Sequence, residues 1–263
     1  MTQAITRGQT ALVTGASSGL GAEFARQLAA RGAHLVLVAR RQDRLEQLAQ
    51  ELRHAHGVSV RVVPLDLTAP TAAASLLDTL GAEGISVDVL INNAGFGTYG
   101  PFADEDLDRI VAETQLNVTA VTALSRAFFP QLLAAGDGLL VNVSSTAAYQ
   151  PIPHVAVYAA TKAYVRSLTE ALWYEARGTG LRVIALAPGP THTEFFEAAG
   201  SDKFAIGQVL AVPDVVGAVF RALERRSPPP SVVAGVRNKV TAVAGRFVPR
   251  RVLIGASGRL AAP

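Results

Sequence analysis

The feature of this sequence that most constrains its fold is an alternation between short apolar runs and longer segments with helical spacing. A run that is apolar at every position suits a strand buried on both faces, as in a parallel sheet with helices on each side. The runs, rich in leucine and β-branched residues, are Thr10–Thr14, His34–Ala39, Val58–Pro64, Val87–Ile91, Gly138–Val143, Leu181–Leu186 and, further along, Ser231–Ala234. We therefore predict an α/β fold, a doubly wound and mainly parallel sheet of about seven strands.

The composition excludes several kinds of site. The 263 residues include no cysteine, which excludes a disulfide framework, a cysteine-ligated zinc, an iron–sulfur cluster and thiol catalysis. The five histidines are not spaced with acids as metal ligands are, and we expect no metal. A formal net charge of +3 is too small to indicate a nucleic-acid partner, and we expect none.

The chain is predicted to form one domain with an extension. Residues 1–234 make up the α/β domain, in which residues 190–208 are a candidate substrate lid. Residues 235–263 form a basic, partly helical C-terminal extension, in which no acidic residue occurs. We interpret the extension as packed on its own domain or on a second subunit, and contact with a membrane surface is the less favoured alternative. The N-terminus resembles no secretory signal and no segment is apolar enough to span a membrane, so we expect a cytoplasmic protein.

A glycine-rich turn joins the first predicted strand to the first predicted helix, with its glycines spaced as GxxxGxG. So tight a turn lets the backbone approach a pyrophosphate, while the helix N-terminus supplies free N–H groups and a favourable dipole. An ordinary turn is the alternative, but the position between strand and helix favours phosphate binding. The candidate residues are Gly15, Ser17, Ser18, Gly19, Leu20 and Gly21.

Two arginines follow the second predicted strand, where a dinucleotide-binding fold that prefers NAD carries an acid. Ala39 stands at the position of that acid, and Arg40 and Arg41 come next. A guanidinium forms bidentate hydrogen bonds with phosphate, so the pair indicates the 2′-phosphate of NADP(H). The alternative is that both arginines only solvate the start of the next helix.

A tyrosine and a lysine are spaced for acid–base chemistry. Tyr158 and Lys162 are four residues apart in a helical segment, which places both side chains on one face. The ordinary pKa of a phenol is about 10, and a nearby ammonium lowers it toward the working range of a general acid–base group. Ser145, at the end of the fifth predicted strand, carries a hydroxyl that can hydrogen-bond a substrate oxygen.

These motifs occur together, in order and with characteristic spacing, and the sequence resembles the short-chain dehydrogenase/reductase family from about residue 9 to residue 195. The matching pieces are Thr14–Gly21, Asp66-Leu67, Asn92–Gly95, Asn117, Ser144-Ser145, Tyr158–Lys162 and Pro188-Gly189. The resemblance implies a Rossmann fold, a nicotinamide cofactor, and an Asn117 that holds a proton-relaying water beside Lys162. It also implies that Lys162 binds the nicotinamide ribose. The further cofactor contacts that it implies are Asp66, Leu67, Asn93, Ala94, Gly95, Tyr158, Pro188, Gly189, Thr191 and Thr193.

The resemblance also bears on assembly and on the substrate. Family members usually pair through the two long helices that here span about Leu107–Ala134 and Val155–Arg177, so we expect a homodimer or homotetramer. The predicted substrate wall is largely apolar and favours a hydrophobic ketone, aldehyde or 3-oxoacyl thioester. Its candidate residues are Phe96, Tyr99, Tyr149, Pro151, Phe195 and Phe196.

The favoured interpretation is an NADP-dependent oxidoreductase in which Tyr158 is the general acid–base group. The alternative from another functional class is a catalytically silent NADP-binding regulatory or scaffold protein. The presence of Asn117, Ser145, Tyr158 and Lys162 together argues against the alternative.

Overall fold

The computed structural model describes residues 7–191, 193–199, 201, 207–245 and 247–262, and at its centre is a sheet of seven parallel strands. The strands are β1 Thr10–Thr14, β2 His34–Ala39, β3 Val60–Pro64, β4 Val89–Asn92, β5 Leu139–Val143, β6 Arg182–Ala187 and β7 Ser231–Val233. Their order across the sheet is β3-β2-β1-β4-β5-β6-β7, with the direction of winding reversing between β1 and β4. The prediction of a doubly wound parallel sheet is confirmed.

Helices cover both faces of this sheet. They are α1 Gly19–Ala29, α2 Gln42–His56, α3 Ala72–Ala82, α4 Leu107–Thr114, α5 Val121–Ala134, α6 Ala156–Glu175, α7 Phe195–Ala199, α8 Val212–Leu223, α9 Val236–Ala244 and α10 Arg250–Leu260. One core layer includes Phe24 of α1 and Phe220 of α8, and the layer on the opposite face includes Leu76 of α3 and Phe128 of α5. Full burial of side chains of this size stabilises the fold by roughly 1.5–3 kcal/mol each.

The two central strands are joined where the winding reverses. The Thr14 hydroxyl at the end of β1 accepts hydrogen bonds from the backbone N–H of Asn93 (2.9 Å) and of Ala94 (3.0 Å) after β4. The Asn93 side chain in turn donates to the Thr14 carbonyl at 2.9 Å. These bonds fix the crevice at the topological switch point, which is where open α/β sheets bind ligands.

A buried network of side-chain hydrogen bonds connects the sheet to the helices on one face. The Asn92 amide on β4 donates to Asn142 Oδ1 on β5 (2.9 Å) and to the Ser125 hydroxyl on α5 (3.1 Å). The Asn142 amide donates to the Thr169 hydroxyl on α6 at 3.0 Å. Because polar groups in a dry interior must be paired, this hydrogen-bond network fixes where α5 and α6 lie against the sheet.

The helix predicted over residues 107–134 is divided in the structure. α4 ends at Thr114, a π-helical segment covers Gln115–Ala120, and α5 begins at Val121. In the π-helical segment the Asn117 side chain accepts from the Phe96 N–H (3.2 Å) and donates to the Phe96 carbonyl (2.8 Å). Single π turns inside α-helices recur at functional sites, and the apolar periodicity of the sequence does not reveal this one.

The C-terminal extension is helical, and small residues on its two helices are buried against the domain. Asn238 and Ala242 of α9 and Ser257 of α10 are buried. The valine stripe of α9 does not pack on the domain, since Val236 is 79% exposed and Val240 62% exposed. None of the helices in the described parts of the chain is both long and apolar enough for a membrane span.

Replacing Asn142 by alanine is predicted to lower the Tm by several degrees. The change removes two buried hydrogen bonds, the one from the Asn92 amide to Asn142 and the one from Asn142 to the Thr169 hydroxyl, and leaves a cavity between them, which together cost about 1–3 kcal/mol. Thermal unfolding measures the effect, and Gln50→Ala, at an exposed position of α2, is the control. Equal Tm values for the two variants would contradict a stabilising role for the network.

Candidate active site

A cavity of about 790 Å³ opens at the carboxyl ends of the strands. The turns that follow β1 to β6 contribute to its wall, together with the N-terminal half of α6. The predicted residues that line it are Gly15, Ser17, Ser18, Gly19, Leu20, Arg40, Arg41, Asp66, Asn93, Ala94, Gly95, Phe96, Ser145, Tyr149, Tyr158, Lys162, Pro188, Gly189, Thr191, Thr193, Phe195 and Phe196. The groups predicted to bind a nucleotide and those predicted to move a proton therefore share one cavity.

The turn after β1 requires its glycines. Gly15 and Gly19 have φ of +64° and +53°, a region that side chains with a Cβ rarely adopt. A Cβ on Gly21 would lie 2.2 Å from the Gly15 carbonyl oxygen, so Gly21 allows α1 to begin directly against the turn. The result is a backbone cradle at a helix N-terminus, the arrangement that binds phosphate groups.

The basic end of the cavity already holds a carboxylate. Arg41 donates to the Ser17 hydroxyl (3.0 Å), to the Ser18 hydroxyl (2.9 Å) and to the Glu194 carboxylate (2.9 Å). Arg44 donates to the other oxygen of Glu194. Hydrogen bonds from Arg44 and Arg41 lower the pKa of Glu194 to about 2. This end of the site therefore has the donors and the charge to bind an anion.

The proposed acid–base group is buried beside Ser145. Tyr158 is only 8% exposed, and burial raises the pKa of its phenol to about 12. A hydrogen bond from the Ser145 side chain lowers the pKa of Tyr158, and the charge of Glu113 raises it. The net direction is opposite to the one expected from the Tyr158–Lys162 spacing, because desolvation of the phenol is the largest influence and outweighs the Ser145 hydrogen bond.

Lys162 lines the cavity but is only 5% exposed. Its ammonium donates to the Val143 carbonyl at the end of β5 (3.0 Å) and lies 5.8 Å from the centre of the Tyr158 ring. Burial lowers the pKa of Lys162 to about 8, and the charge of Glu113 raises it. The lysine is therefore charged at neutral pH but poised to lose its proton not far above it.

Asn117 is placed behind the cavity rather than in its wall. A Cβ on Gly95 would lie 2.8 Å from Asn117 Oδ1 and 3.2 Å from Lys162 Nζ, so both polar groups approach the same short stretch of backbone. The Asn117 amide also donates to the Thr161 hydroxyl at 3.1 Å. The side chain thus links the loop after β4 to α6, next to the lysine.

Other predicted residues also lie outside the cavity wall: Gly21, Leu67, Tyr99 and Pro151. Leu67 is buried in the core. The Tyr99 hydroxyl donates to the Ala261 carbonyl and the Pro151 carbonyl accepts from the Ser257 hydroxyl, each at 2.9 Å. These two residues therefore hold the C-terminal extension on the domain.

The extension contributes wall residues that the sequence did not indicate. Thr241 and Ala242 of α9 line the cavity, as does Asn238, whose side chain accepts from the N–H of Gln208 (2.8 Å) and donates to its carbonyl (3.0 Å). The only local sign of this role is one asparagine in a valine-rich helix.

The candidate lid is described in part. Residues 192, 200 and 202–206 of the predicted segment 190–208 lie outside the described residues. In α7, the Phe195 ring lies 5.3 Å from the Tyr158 ring and 5.6 Å from the Phe196 ring. These aromatic contacts bring the segment over the proposed acid–base group.

A buried acid is the residue that sequence reasoning missed. Glu113 is fully buried in α4, and neither of its carboxyl oxygens makes a hydrogen bond with the described residues. Burial raises the pKa of Glu113 to about 7, while the nearby Thr98 side chain and amide lower it. The available signal was its place in the buried stripe formed with Ile110 and Asn117.

Comparison with known proteins identifies close relatives. The family model for short chain dehydrogenases matches residues 9–203. A short chain dehydrogenase of Pseudocercospora fijiensis is 36% identical over 190 residues, which cover 72% of this chain and 61% of that protein. The chain thus spans less than two thirds of this relative's length.

Two solved structures share the fold across most of the chain. A short-chain dehydrogenase from Sphingobium yanoikuyae in complex with NADPH is 35% identical, with a TM-score of 0.81 over 91% of this chain and 92% of its own. A 7β-hydroxysteroid dehydrogenase is 26% identical, with a TM-score of 0.85 over 98% of this chain and 99% of its own. The second match extends over the C-terminal extension as well.

Glu113→Gln is predicted to stabilise the fold more at pH 8 than at pH 5. Because the folded state holds the pKa of Glu113 at about 7, above the ordinary 4.5, its protonated form favours folding, and this contribution is lost as pH rises from 4.5 to 7. The Tm of the variant relative to the wild type should therefore increase by several degrees between pH 5 and pH 8. Thermal unfolding at both pH values tests this, and a Tm difference that does not change with pH would show that the carboxyl is not desolvated.

Proposed function

The chain belongs to the short-chain dehydrogenase family, and on that premise we propose that it is an NADP(H)-dependent oxidoreductase acting on a carbonyl or alcohol group of a hydrophobic substrate. The observation that carries the proposal is the placement of Ser145, Tyr158 and Lys162 in one cavity with the glycine turn and Arg40 and Arg41. The resemblance of the fold to an NADPH complex supports the choice of cofactor.

The residues present fit a dinucleotide with a 2′-phosphate. The cradle at Gly15–Gly21 suits the pyrophosphate. Arg41, which already binds a carboxylate, and its neighbour Arg40 would hold the 2′-phosphate. Asp66 would face the adenosine, although its carboxylate now accepts from the Thr68 N–H (3.0 Å) and hydroxyl (2.9 Å). Lys162 would bind the nicotinamide ribose, and the bound cofactor would supply or accept the hydride.

Tyr158 would move the proton. With its pKa raised to about 12 by burial, the phenol is protonated at neutral pH and can donate to a substrate oxygen as negative charge develops there. The Ser145 side chain hydrogen-bonds Tyr158, so both hydroxyl groups face one point in the cavity. Two donors aimed at the same oxygen stabilise its developing charge. The Lys162 ammonium would stabilise the phenolate that remains.

The substrate would be bulky and apolar. The wall near Tyr158 is formed by aromatic and aliphatic side chains, among them Phe96, Tyr149 and Phe195. Thr241 and Ala242 would narrow the mouth from the side of the C-terminal extension. The structural likeness to a hydroxysteroid dehydrogenase is consistent with a ketone or alcohol on a large hydrophobic skeleton.

Assembly as a homodimer or homotetramer is also part of the proposal. Large apolar side chains are exposed on the two helices through which pairing is expected, with Leu107 70% exposed on α4 and Tyr174 65% exposed on α6. A second subunit on this face would bury them.

Tyr158→Phe is predicted to reduce turnover of hydrophobic ketones by a factor on the order of 10² to 10⁴, because the variant lacks the proton donor. NADPH binding, measured by fluorescence, should persist. The matched control is Tyr174→Phe, which removes an exposed hydroxyl from the same helix. NADPH binding with no turnover of any ketone or aldehyde by the wild type would instead favour the regulatory or scaffold alternative.

Arg40→Ala and Arg41→Ala are predicted to weaken NADPH binding by a factor on the order of 10 to 100, because each removes charged hydrogen bonds to the 2′-phosphate. NADH binding, which involves no such phosphate, should change little. Titration of each variant with both cofactors makes the comparison, and Arg225→Ala, at an exposed position after α8, is the control. Equal losses for NADPH and NADH would show that the two arginines do not select the phosphate.

A further inference from the structure

Glu194 carries a carboxylate that has no role in the chemistry described so far, although two arginines bind it. Arg41 Nη1 donates to one carboxylate oxygen at 2.9 Å, and Arg44 Nη1 donates to the other. Arg41 directly precedes α2 and Arg44 lies in its first turn, whereas Glu194 directly precedes α7. The contact therefore brings a negative charge from the segment after β6 to the basic end of the cavity.

All three nitrogen atoms of the Arg41 guanidinium donate hydrogen bonds. Nε and Nη2 donate to the Ser17 hydroxyl (3.2 and 3.0 Å), and Nη2 also donates to the Ser18 hydroxyl (2.9 Å). Nη1 is the nitrogen that binds Glu194, and all four residues line the cavity. A ligand anion that binds Arg41 through Nη1 must therefore exchange with the Glu194 carboxylate.

A carboxylate and a phosphate compete for the same kind of donor, because a guanidinium binds either one through its N–H groups. Hydrogen bonds from Arg44 and Arg41 lower the pKa of Glu194 to about 2, so this side chain is an anion at neutral pH. Two anions held at one guanidinium repel each other. A 2′-phosphate at Arg41 and the Glu194 carboxylate at Arg41 therefore oppose each other.

The contact between Glu194 and Arg41 is of a kind that a ligand can displace. The two side chains are 43% and 42% exposed, and ion pairs that are open to solvent are weak. Arg40 is exposed in the cavity wall and would offer the phosphate a second guanidinium. The wild type would therefore still bind a 2′-phosphate, but less tightly than its arginines alone would allow.

The neighbours of Glu194 contact both functional parts of the cavity. A Cβ on Gly19 would lie 3.0 Å from Thr193 Cγ2, so Thr193 lies against the glycine turn. The Phe195 ring lies 5.3 Å from the Tyr158 ring. The position of Glu194 beside the basic end of the cavity is thus supported by the packing of the residues on either side of it.

We propose that Glu194 determines cofactor affinity as an internal competitor: its carboxylate occupies the Arg41 guanidinium at the place of the cofactor 2′-phosphate, and the phosphate must displace it. The inference rests on the proposed function for the assignment of the 2′-phosphate to Arg41. It concerns binding alone and involves no reaction.

Two ligands without a nicotinamide isolate the effect of the 2′-phosphate. Adenosine 2′,5′-bisphosphate and adenosine 5′-monophosphate differ only in that group. Calorimetric titration of the full chain with both ligands, and with NADPH and NADH, compares the wild type with Glu194→Gln, which keeps the shape of the side chain and removes its charge. Glu83→Gln is the matched control, since it removes a carboxylate that is bound by Arg61 outside the cavity wall.

In Glu194→Gln, the Kd values for the bisphosphate and for NADPH should fall by a factor of about 3 to 10, because the phosphate no longer displaces a charged competitor. The Kd values for the monophosphate and NADH should change little, and Glu83→Gln should leave all four unchanged. An unchanged Kd for the bisphosphate in Glu194→Gln would overturn the proposal. A higher Kd would also overturn it, because Glu194 would then be holding Arg41 in place for the phosphate.

A double-mutant cycle tests whether the competition takes place at Arg41. If Glu194 acts by occupying this guanidinium, the tighter binding of the bisphosphate should be lost when Glu194→Gln is combined with Arg41→Ala. A gain of the same size in the Arg41→Ala background would mean that Glu194 repels the phosphate without holding Arg41, which would contradict the proposal.

The two proposals fail in different ways. A wild type that reduces no carbonyl compound would contradict the proposed function, while tighter binding of the bisphosphate by Glu194→Gln would still support the role of Glu194. An active, NADPH-preferring enzyme whose Kd for the bisphosphate is the same in Glu194→Gln would contradict only the role of Glu194.

Discussion

The site depends on a nearly buried ammonium group in the wall of the cavity, that of Lys162. Lys162 is 5% exposed, and its Nζ donates to the carbonyl at the end of β5. Burying a charge is strongly unfavourable unless hydrogen bonds compensate it, and the Val143 carbonyl provides such a bond. Tyr158 shares this dry environment, where burial raises the pKa of its phenol to about 12 and so keeps it protonated at neutral pH.

The sheet fixes this pair through several independent bonds. The Ser144 hydroxyl donates to the Lys162 carbonyl at 2.8 Å, and about two turns further along α6 the Asn142 amide of β5 donates to the Thr169 hydroxyl at 3.0 Å. The Thr146 N–H donates to the Pro188 carbonyl at 2.8 Å, so the turns after β5 and β6 move together. In a preorganised site the hydrogen-bond donors are in place before charge develops on the substrate. Electrostatic stabilisation of the transition state in enzymes arises mostly from such donors.

Much of the fold and part of the site could be predicted from the sequence. All seven apolar runs are strands, because a run such as His34–Ala39 has no polar face to offer to solvent. The glycine turn and the placement of Tyr158 and Lys162 on one helix face could also be predicted from the sequence, since each depends on local geometry. The π-helical segment at Asn117 could not be predicted, because the partner of the Asn117 side chain, Phe96, lies 21 residues away and outside the helical periodicity. Three further features depend on which residues are buried in the folded protein, and residue spacing does not give that information. They are the raised pKa of Tyr158, the position of Thr241 in the cavity wall and the burial of the Glu113 carboxyl without a hydrogen bond to the described residues.

The central claim is that Ser145 and Tyr158 converge on one reacting oxygen above the buried lysine. A crystal structure of the protein with NADPH and a bulky ketone tests it most directly. The account predicts that the ketone oxygen lies within hydrogen-bond distance of both hydroxyl groups, about 2.5–3.0 Å from each. A ketone oxygen bound elsewhere in the cavity, with Tyr158 directed away from it, would contradict the account.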